Sequence, residues 1–216
     1  SGNANFMWIQ HFAHHLSSNG QAGFVMPNGA LAVSGKEGEL RKKLIEQDLV
    51  DVIISCPSKL FYNVSLPVSL WFLAKNKGGD RFRGRKGETL FIDARDTFEP
   101  MSRKQVIFNK EHIAKITDIV RAWRGESASA KATDGQGKKL KYEDVSGFCK
   151  SANLEEIKKN GYTLTPGRYV GLADVEDDGI SFEEKMQKLS SELREAFTKG
   201  RELEKDIEKN LKELGF

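Results

Sequence analysis

The sequence predicts an α/β fold, and three observations predict it. Helical and strand periodicities alternate through the first half; two of the strands are apolar almost throughout, as happens when both faces of a sheet are covered; and turn residues punctuate the boundaries. The later strands follow one another closely, which points to antiparallel pairing at one end of the sheet.

The elements follow in order. From Ala4 to Leu16, Phe6, Met7, Ile9, Phe12, Ala13 and Leu16 recur at helical spacing, with Asn19-Gly20 as a stop. Gly23-Phe-Val-Met-Pro27 reads as a short buried strand ending in a turn at Asn28-Gly29. Glu37 to Gln47 carries Leu40, Leu44 and Ile45 as a second amphipathic helix. Leu49 to Ser55 and Val68 to Ala74 are the two near-continuous apolar strands, joined by the loop Pro57 to Pro67, and Thr89 to Ala94 is a fourth strand. Ile113, Ile116, Ile119, Val120 and Trp123 mark another helix. Residues 125–141 have almost no large apolar side chains to offset their ordering entropy and are expected to form a flexible loop. A short helix from Leu154 to Lys159 follows, with Asn153 and Glu156 spaced as a capping box and Gly161 as the stop. In the last helix Ser181 and Glu184 form a second capping box. Phe182, Met186, Leu189, Leu193, Ala196, Leu203, Ile207, Leu211 and Leu214 trace a seam in steps of three and four.

Composition narrows the function classes. With 216 residues, 30% of them charged, and no apolar run near the roughly 20 needed to cross a bilayer, no membrane anchor or export signal is expected. Cys56 and Cys149 fit no metal or redox spacing, so buried thiols in a reducing cytoplasm are the default. A net charge of +3 permits an acidic partner such as DNA without arguing for one. His11, His14 and His15 share a helix, but no Cys or carboxylate nearby completes a metal set. Gly135-Gln-Gly137 follows no strand and opens no helix, so it reads as loop and not as a phosphate cradle.

Two features leave alternatives open. The glycine-containing loop with Lys75, Lys77, Arg81, Arg83, Arg85 and Lys86 suits DNA phosphates, Arg81, Arg83, Arg85 and Lys86 above all; it equally suits a solvated hairpin tip. The C-terminal seam either packs on its own domain or docks a partner. Its length of about 30 residues, roughly 45 Å, favours a partner or a multi-helix bundle, with Met186, Leu189, Leu193, Leu203, Ile207 and Leu211 as docking residues.

Taken together, a series of segments resembles the modification subunit of type I restriction-modification systems. They are Gly23-Phe-Val-Met-Pro-Asn-Gly29, Gly38-Glu-Leu-Arg-Lys-Lys-Leu-Ile-Glu46 leading into Leu49-Val-Asp-Val52, Lys59-Leu-Phe-Tyr-Asn63 and Leu70-Trp-Phe-Leu-Ala-Lys75. Further on come Gly87-Glu-Thr-Leu-Phe-Ile-Asp-Ala-Arg95, Ala122-Trp-Arg-Gly125, Tyr142-Glu-Asp-Val145, Gly147-Phe-Cys-Lys150 and Gly161-Tyr-Thr-Leu-Thr-Pro-Gly-Arg-Tyr169. Each string is weak alone, but their order and spacing are specific and run over nearly the whole chain.

The resemblance implies a Rossmann-like fold that moves a methyl group from S-adenosylmethionine to the exocyclic amine of adenine in duplex DNA, a base that must first leave the stack. It also implies that a glycine-rich turn cradles the cofactor and that an Asn/Asp-Pro-Pro-aromatic motif holds the adenine. Neither occurs here: no two of the five prolines, Pro27, Pro57, Pro67, Pro100 and Pro166, adjoin. No residue of this chain is therefore expected to be catalytic, to bind the cofactor or to hold a metal, and the chain alone is expected to be inactive. The expected layout is the C-terminal half of the catalytic sheet in residues 1–124, the loop 125–141, an irregular connecting segment with one short helix in 142–180, and a docking helix in 181–216.

The likeness makes Phe61, with Tyr62 behind it, the candidate aromatic contact to the extruded base, against a core aromatic at a strand entrance. Asn28 would sit at the carboxyl edge of the sheet, against an ordinary turn residue before Gly29. The implied partners are a specificity subunit, a restriction subunit, a second modification subunit and double-stranded DNA. A non-catalytic DNA- or protein-binding scaffold is the alternative. Loss of the strands flanking Gly23 to Met26 would leave an open sheet edge.

Overall fold

The computed structural model describes residues 3–79, 82–125, 141–172 and 182–213. The chain divides into two compact units, Ser1–Asp174 and Val175–Phe216. The first holds a five-stranded sheet in the order β1-β3-β2-β4-β7, built from β1 (Gln21–Pro27), β2 (Val50–Ser55), β3 (Val68–Ala74), β4 (Glu88–Asp93) and β7 (Cys149–Asn153). Between β4 and β7 the chain also forms a separate hairpin, β5 (Glu99–Ser102) with β6 (Gln105–Ile107). Strands β2 and β4 are parallel, while β3 runs antiparallel to both β1 and β2 and β7 runs antiparallel to β4. Antiparallel pairing is thus not confined to one end, because β3 inserts between β1 and β2. The arrangement leaves β1, β2 and β4 pointing the same way.

All six residues of β2 are buried, as the apolar run requires. On one face, Phe24, Trp71, Ile53 and Phe91 pack against Phe6 and Ile9 of α1 (Ala4–His15), Leu44 and Ile45 of α2 (Gly35–Glu46) and Ile157 of α4 (Leu154–Lys159). On the other, Val52, Ile54, Leu90 and Ile92 pack against Ile116 and Trp123 of α3 (Lys110–Arg124). The helices start where caps allow. Asn3 accepts from Asn5 N at 3.0 Å, Asn109 closes a capping box with His112, and Asn153 accepts from Glu156 N at 2.9 Å. Only half of the expected box at α4 forms, because the Glu156 carboxylate pairs with Lys150 Nζ at 2.6 Å instead.

Three expectations change. Helix α1 ends at His15, and Asn19-Gly20 belongs to a separate turn in which Gly20 N donates to Ser17 O at 2.9 Å. The segment 142–172 is less irregular than expected, since it contributes the edge strand β7, and the hairpin β5–β6 had no forecast at all. Among the described residues strand β1 is an edge paired with β3 alone, and on the face that α3 leaves uncovered Val25 is 47% exposed. Gly23 lies on that face because a Cβ there would meet the Phe72 ring at 2.9 Å.

The second unit is described as α5 (Phe182–Glu213), 32 residues long. Met186, Leu189, Leu193, Phe197, Leu203, Ile207 and Leu211 are between 46% and 62% exposed. The proposed cap Ser181 and the seam residue Leu214 lie outside the described residues, as does the core of the expected loop, 126–140. Among the described residues no helix is long and apolar enough to cross a membrane.

Candidate functional site

Because β1, β2 and β4 point the same way, Asn28, Cys56 and Ala94 leave the sheet at one edge, where open α/β folds place ligands. The antiparallel register sets Pro27 opposite Val68, so the loop 57–67 feeding β3 opens at that same edge. Asn28 and the loop of Phe61 and Tyr62 therefore share one edge of the sheet, although they stand more than thirty positions apart in sequence.

Asn28 begins a short 3-10 turn, Asn28–Leu31, whose Ala30 and Leu31 are buried. Its Oδ1 is buried and has no hydrogen-bond partner among the described residues. A buried acceptor without a donor costs on the order of 1–3 kcal/mol, so a native chain keeps one where something else supplies the donor.

The loop 57–67 is closed at its base by Cys56 N donating to Val68 O at 2.9 Å. At its tip Val64 N donates to Phe61 O at 3.2 Å, folding residues 61 to 64 into a tight turn. That turn holds Phe61 outward, 42% exposed, and Tyr62 at 84%. Neither is a core aromatic. Lys59, with φ of 62°, braces the loop against the β5–β6 hairpin: its carbonyl accepts from Val106 N at 3.1 Å and its Nζ donates to Arg103 O at 2.9 Å.

The floor of this edge is rigid and polar. Asp93 accepts from Arg95 Nη2 at 2.6 Å and Nε at 2.8 Å, and that hydrogen-bonded carboxylate holds the Arg95 guanidinium above its ordinary pKa. Phe91 stacks on Tyr169 with ring centroids 3.9 Å apart, Tyr169 donates to Thr163 O, and burial pushes the Tyr169 phenol up. Cys56 and Cys149 are buried free thiols; burial pushes Cys56 to about 12, so neither geometry nor charge prepares it as a nucleophile.

The glycine-containing basic loop sits elsewhere. It joins the end of β3 to the start of β4, at the opposite edge, about 20 Å away along six-residue strands. Arg85 is 1% exposed and donates to Asp51 at 2.7 Å, and Arg124 reaches the same carboxylate at 2.8 Å. Lys77 Nζ is buried against Asp48 at 2.7 Å and the carbonyls of Val50 and Glu88; burial lowers its pKa against the opposing pull of Asp48. Arg83 pairs with Glu88 at 2.6 Å and donates to Trp123 O at 2.8 Å, and its hydrogen bond holds the Glu88 carboxyl below its usual range.

This corrects the expected phosphate-binding set. Arg85 is withdrawn from solvent and Arg83 is committed to Glu88 and α3. Lys86 is exposed, and Arg81 lies outside the described residues. Lys77, Arg85 and Arg83 are matched by Asp48, Asp51 and Glu88 respectively, and they tie the loop to β2 and α3.

The described residues do not make a cofactor cradle. The turn after β1 leads through Ser34, which makes no side-chain capping bond, into α2, without a glycine-rich turn that would aim backbone N–H groups at a ligand. Among the described residues no group of three or more His, Cys, Asp or Glu side chains is arranged to hold a metal ion.

An open mixed sheet with helices on both faces defines an α/β protein, a class in which ligands bind at the carboxyl edge of the strands. Residues 1–178 match the family model for N-6 DNA methylases, and the chain belongs to that family. It is 48% identical over its whole length to the methylase subunit of the type I restriction enzyme MjaIX of Methanocaldococcus jannaschii. To the HindI methylase subunit of Haemophilus influenzae it is 47% identical, again over its whole length. The chain spans 36% and 44% of those relatives. Among solved structures, the type I methyltransferase subunit from Streptococcus thermophilus superposes with a TM-score of 0.62 at 30% identity, over 79% of this chain and 30% of that one. The M protein of the type I enzyme EcoKI shares the fold, with a TM-score of 0.54 at 20% identity over 93% of this chain and 44% of that one.

Proposed function

We propose that the whole protein is the modification subunit of a type I restriction-modification system and transfers a methyl group from S-adenosylmethionine to the exocyclic amine of adenine in duplex DNA. This chain supplies the part of the site that grips the extruded base. Phe61 lies on a face of the base, Tyr62 flanks it, and Asn28 Oδ1 accepts a hydrogen bond from one N–H of its exocyclic amine. The observation that carries the reading is the buried, donorless Asn28 acceptor on the same sheet edge as an outward aromatic turn. Cofactor contacts and the further acceptor for the reacting amine are assigned to residues outside this chain, since the described residues form no cofactor cradle and no two of the five prolines adjoin.

The reading is tested with the whole subunit and its specificity subunit, duplex DNA and donor carrying a labelled methyl group. Digestion is expected to return the label as N6-methyladenine, and label in cytosine or no transfer would overturn the reading.

The helix α5 carries assembly: its exposed apolar seam, set against a polar opposite face, suits the helical surface of a specificity subunit, with a second modification subunit and a restriction subunit completing the complex. Leu193→Ala with Ile207→Ala is expected to weaken co-assembly with the specificity subunit by about 2–5 kcal/mol for each side chain fully buried there. Both side chains are more than half exposed, so the substitutions should leave the helix itself formed. Unaltered sedimentation of the complex would contradict the role.

A further inference from the structure

The β5–β6 hairpin was not among the expected elements, yet it stands beside the base-contact loop and is bonded to it. Its turn is Ser102-Arg103-Lys104-Gln105: Ser102 pairs with Gln105, and Ser102 Oγ accepts from Lys104 N at 3.2 Å. Arg103 and Lys104 are exposed, and neither side chain makes an ion pair with any described residue. This contrasts with the other basic loop, where Lys77, Arg83 and Arg85 each have an acidic partner.

The tip is fixed at both ends. Lys59 bonds it through two contacts, Nζ to Arg103 O at 2.9 Å and the Lys59 carbonyl from Val106 N at 3.1 Å. At the hairpin's base Glu99 accepts from Asn109 Nδ2 at 3.1 Å, which ties it to the start of α3. Lys59 is held at a positive φ, a backbone conformation that residues with side chains rarely adopt, and these bonds keep it there. Both segments carry exposed apolar side chains: Met101 in the hairpin and Leu66 in the loop are each 67% exposed, and Phe98 and Val64 also face solvent.

Two adjacent unpaired cations on a fixed turn, bordered by apolar side chains and joined through one residue to the loop of Phe61, fit the backbone of a nucleic acid whose base is held at that loop. We propose that the β5–β6 tip is a duplex DNA contact in which Arg103 and Lys104 meet the phosphates flanking the extruded base. The inference rests on the base-gripping reading given above and adds to it a phosphate clamp that fixes the strand while the base is out. The alternative occupant, an acidic surface of a partner subunit, is separated by the test.

The experiment uses the whole subunit assembled with its specificity subunit, and measures affinity for a fluorescent duplex across a range of salt concentrations. Each phosphate contact contributes about 0.9 to the slope of log affinity against log salt, so Arg103→Ala with Lys104→Ala is expected to flatten the slope by up to about 1.8. Exchanging the two cations, Arg103→Lys with Lys104→Arg, should restore it. Lys43→Ala with Lys159→Ala, equally charged and equally exposed on α2 and α4, should leave it unchanged. An unchanged slope in the tip double alanine variant, when the unsubstituted complex shows a salt-dependent one, overturns the clamp and leaves the base-gripping reading standing. An unchanged slope with weakened subunit assembly overturns it too and makes the tip a protein interface. No salt-dependent binding by the unsubstituted complex would sink both readings together.

Discussion

Replacing Asp51 with alanine is expected to cost the folded state about 3–5 kcal/mol, the usual consequence of removing one partner from a buried ion cluster. Asp51 is fully buried and is the shared acceptor of two guanidinium groups: Arg85 Nε at 2.7 Å and Nη2 at 3.2 Å, and Arg124 Nη2 at 2.8 Å. Without the carboxylate, two cations face each other in a region whose Arg124 Nε already lacks a partner among the described residues. The loop 75–87 and the C-terminal turn of α3 should loosen together, because Arg83 also bonds Trp123 O and its guanidinium lies 5.5 Å from the Trp123 ring centroid. Asp51→Asn keeps an acceptor and the side-chain volume and should lose less. Urea unfolding followed at constant m-value reads the difference directly. A loss below about 1 kcal/mol for the alanine variant would mean that the cluster behaves like a solvated surface pair.

The second large effect is functional. In the whole subunit with its specificity partner, Phe61→Ala should lower kcat/KM for methyl transfer by the value of one base-aromatic stack. That is about 1–3 kcal/mol, or roughly five- to a hundred-and-fifty-fold. Phe61→Tyr or Phe61→Trp should retain most of the activity, since either ring offers a face. Phe61 is exposed in a turn closed by backbone hydrogen bonds, so its removal should scarcely alter stability, which separates this role from a packing role. Full activity in the alanine variant would remove Phe61 from the site. Asn28→Ala offers an internal contrast: it deletes an acceptor that has no donor here, so it should leave folding unchanged or improved while transfer falls.

What the sequence revealed and what it hid follow one rule. Elements whose burial is periodic were legible: β2 and β3 read as apolar runs because both faces are covered, and α1, α2 and α3 read from their stripes. The four residues of β5 are all exposed, so Glu-Pro-Met-Ser carries no alternation to read, and Pro100 argues against a strand there. Strand β7 is Cys-Lys-Ser-Ala-Asn, with Lys150 and Ser151 half buried, and its pairing with β4 supplies what its composition does not.

Charge was legible only as a count. The cations of the loop 75–87 were visible, but their partners Asp48 and Asp51 sit 29 and 34 positions away from Lys77 and Arg85, and local sequence does not say which charges meet. Conversely, Arg103 and Lys104 look unremarkable in sequence and acquire interest from Lys59, 44 positions distant from Arg103. The one available cue was four polar residues, Ser-Arg-Lys-Gln, set between Met101 and Val106, a pattern that suits a hairpin tip. Asn28 and Phe61 were picked out from family likeness and position, and the parallel direction of β1 and β2 is what brings them to one edge.

On the proposed function, this chain carries one part of a divided methyl-transfer site. Titration calorimetry with S-adenosylmethionine tests it most directly, on the 216-residue chain and on the whole subunit under the same conditions. No measurable heat is expected from the chain alone, and saturable one-to-one binding from the whole subunit. Saturable binding by these 216 residues alone would contradict it.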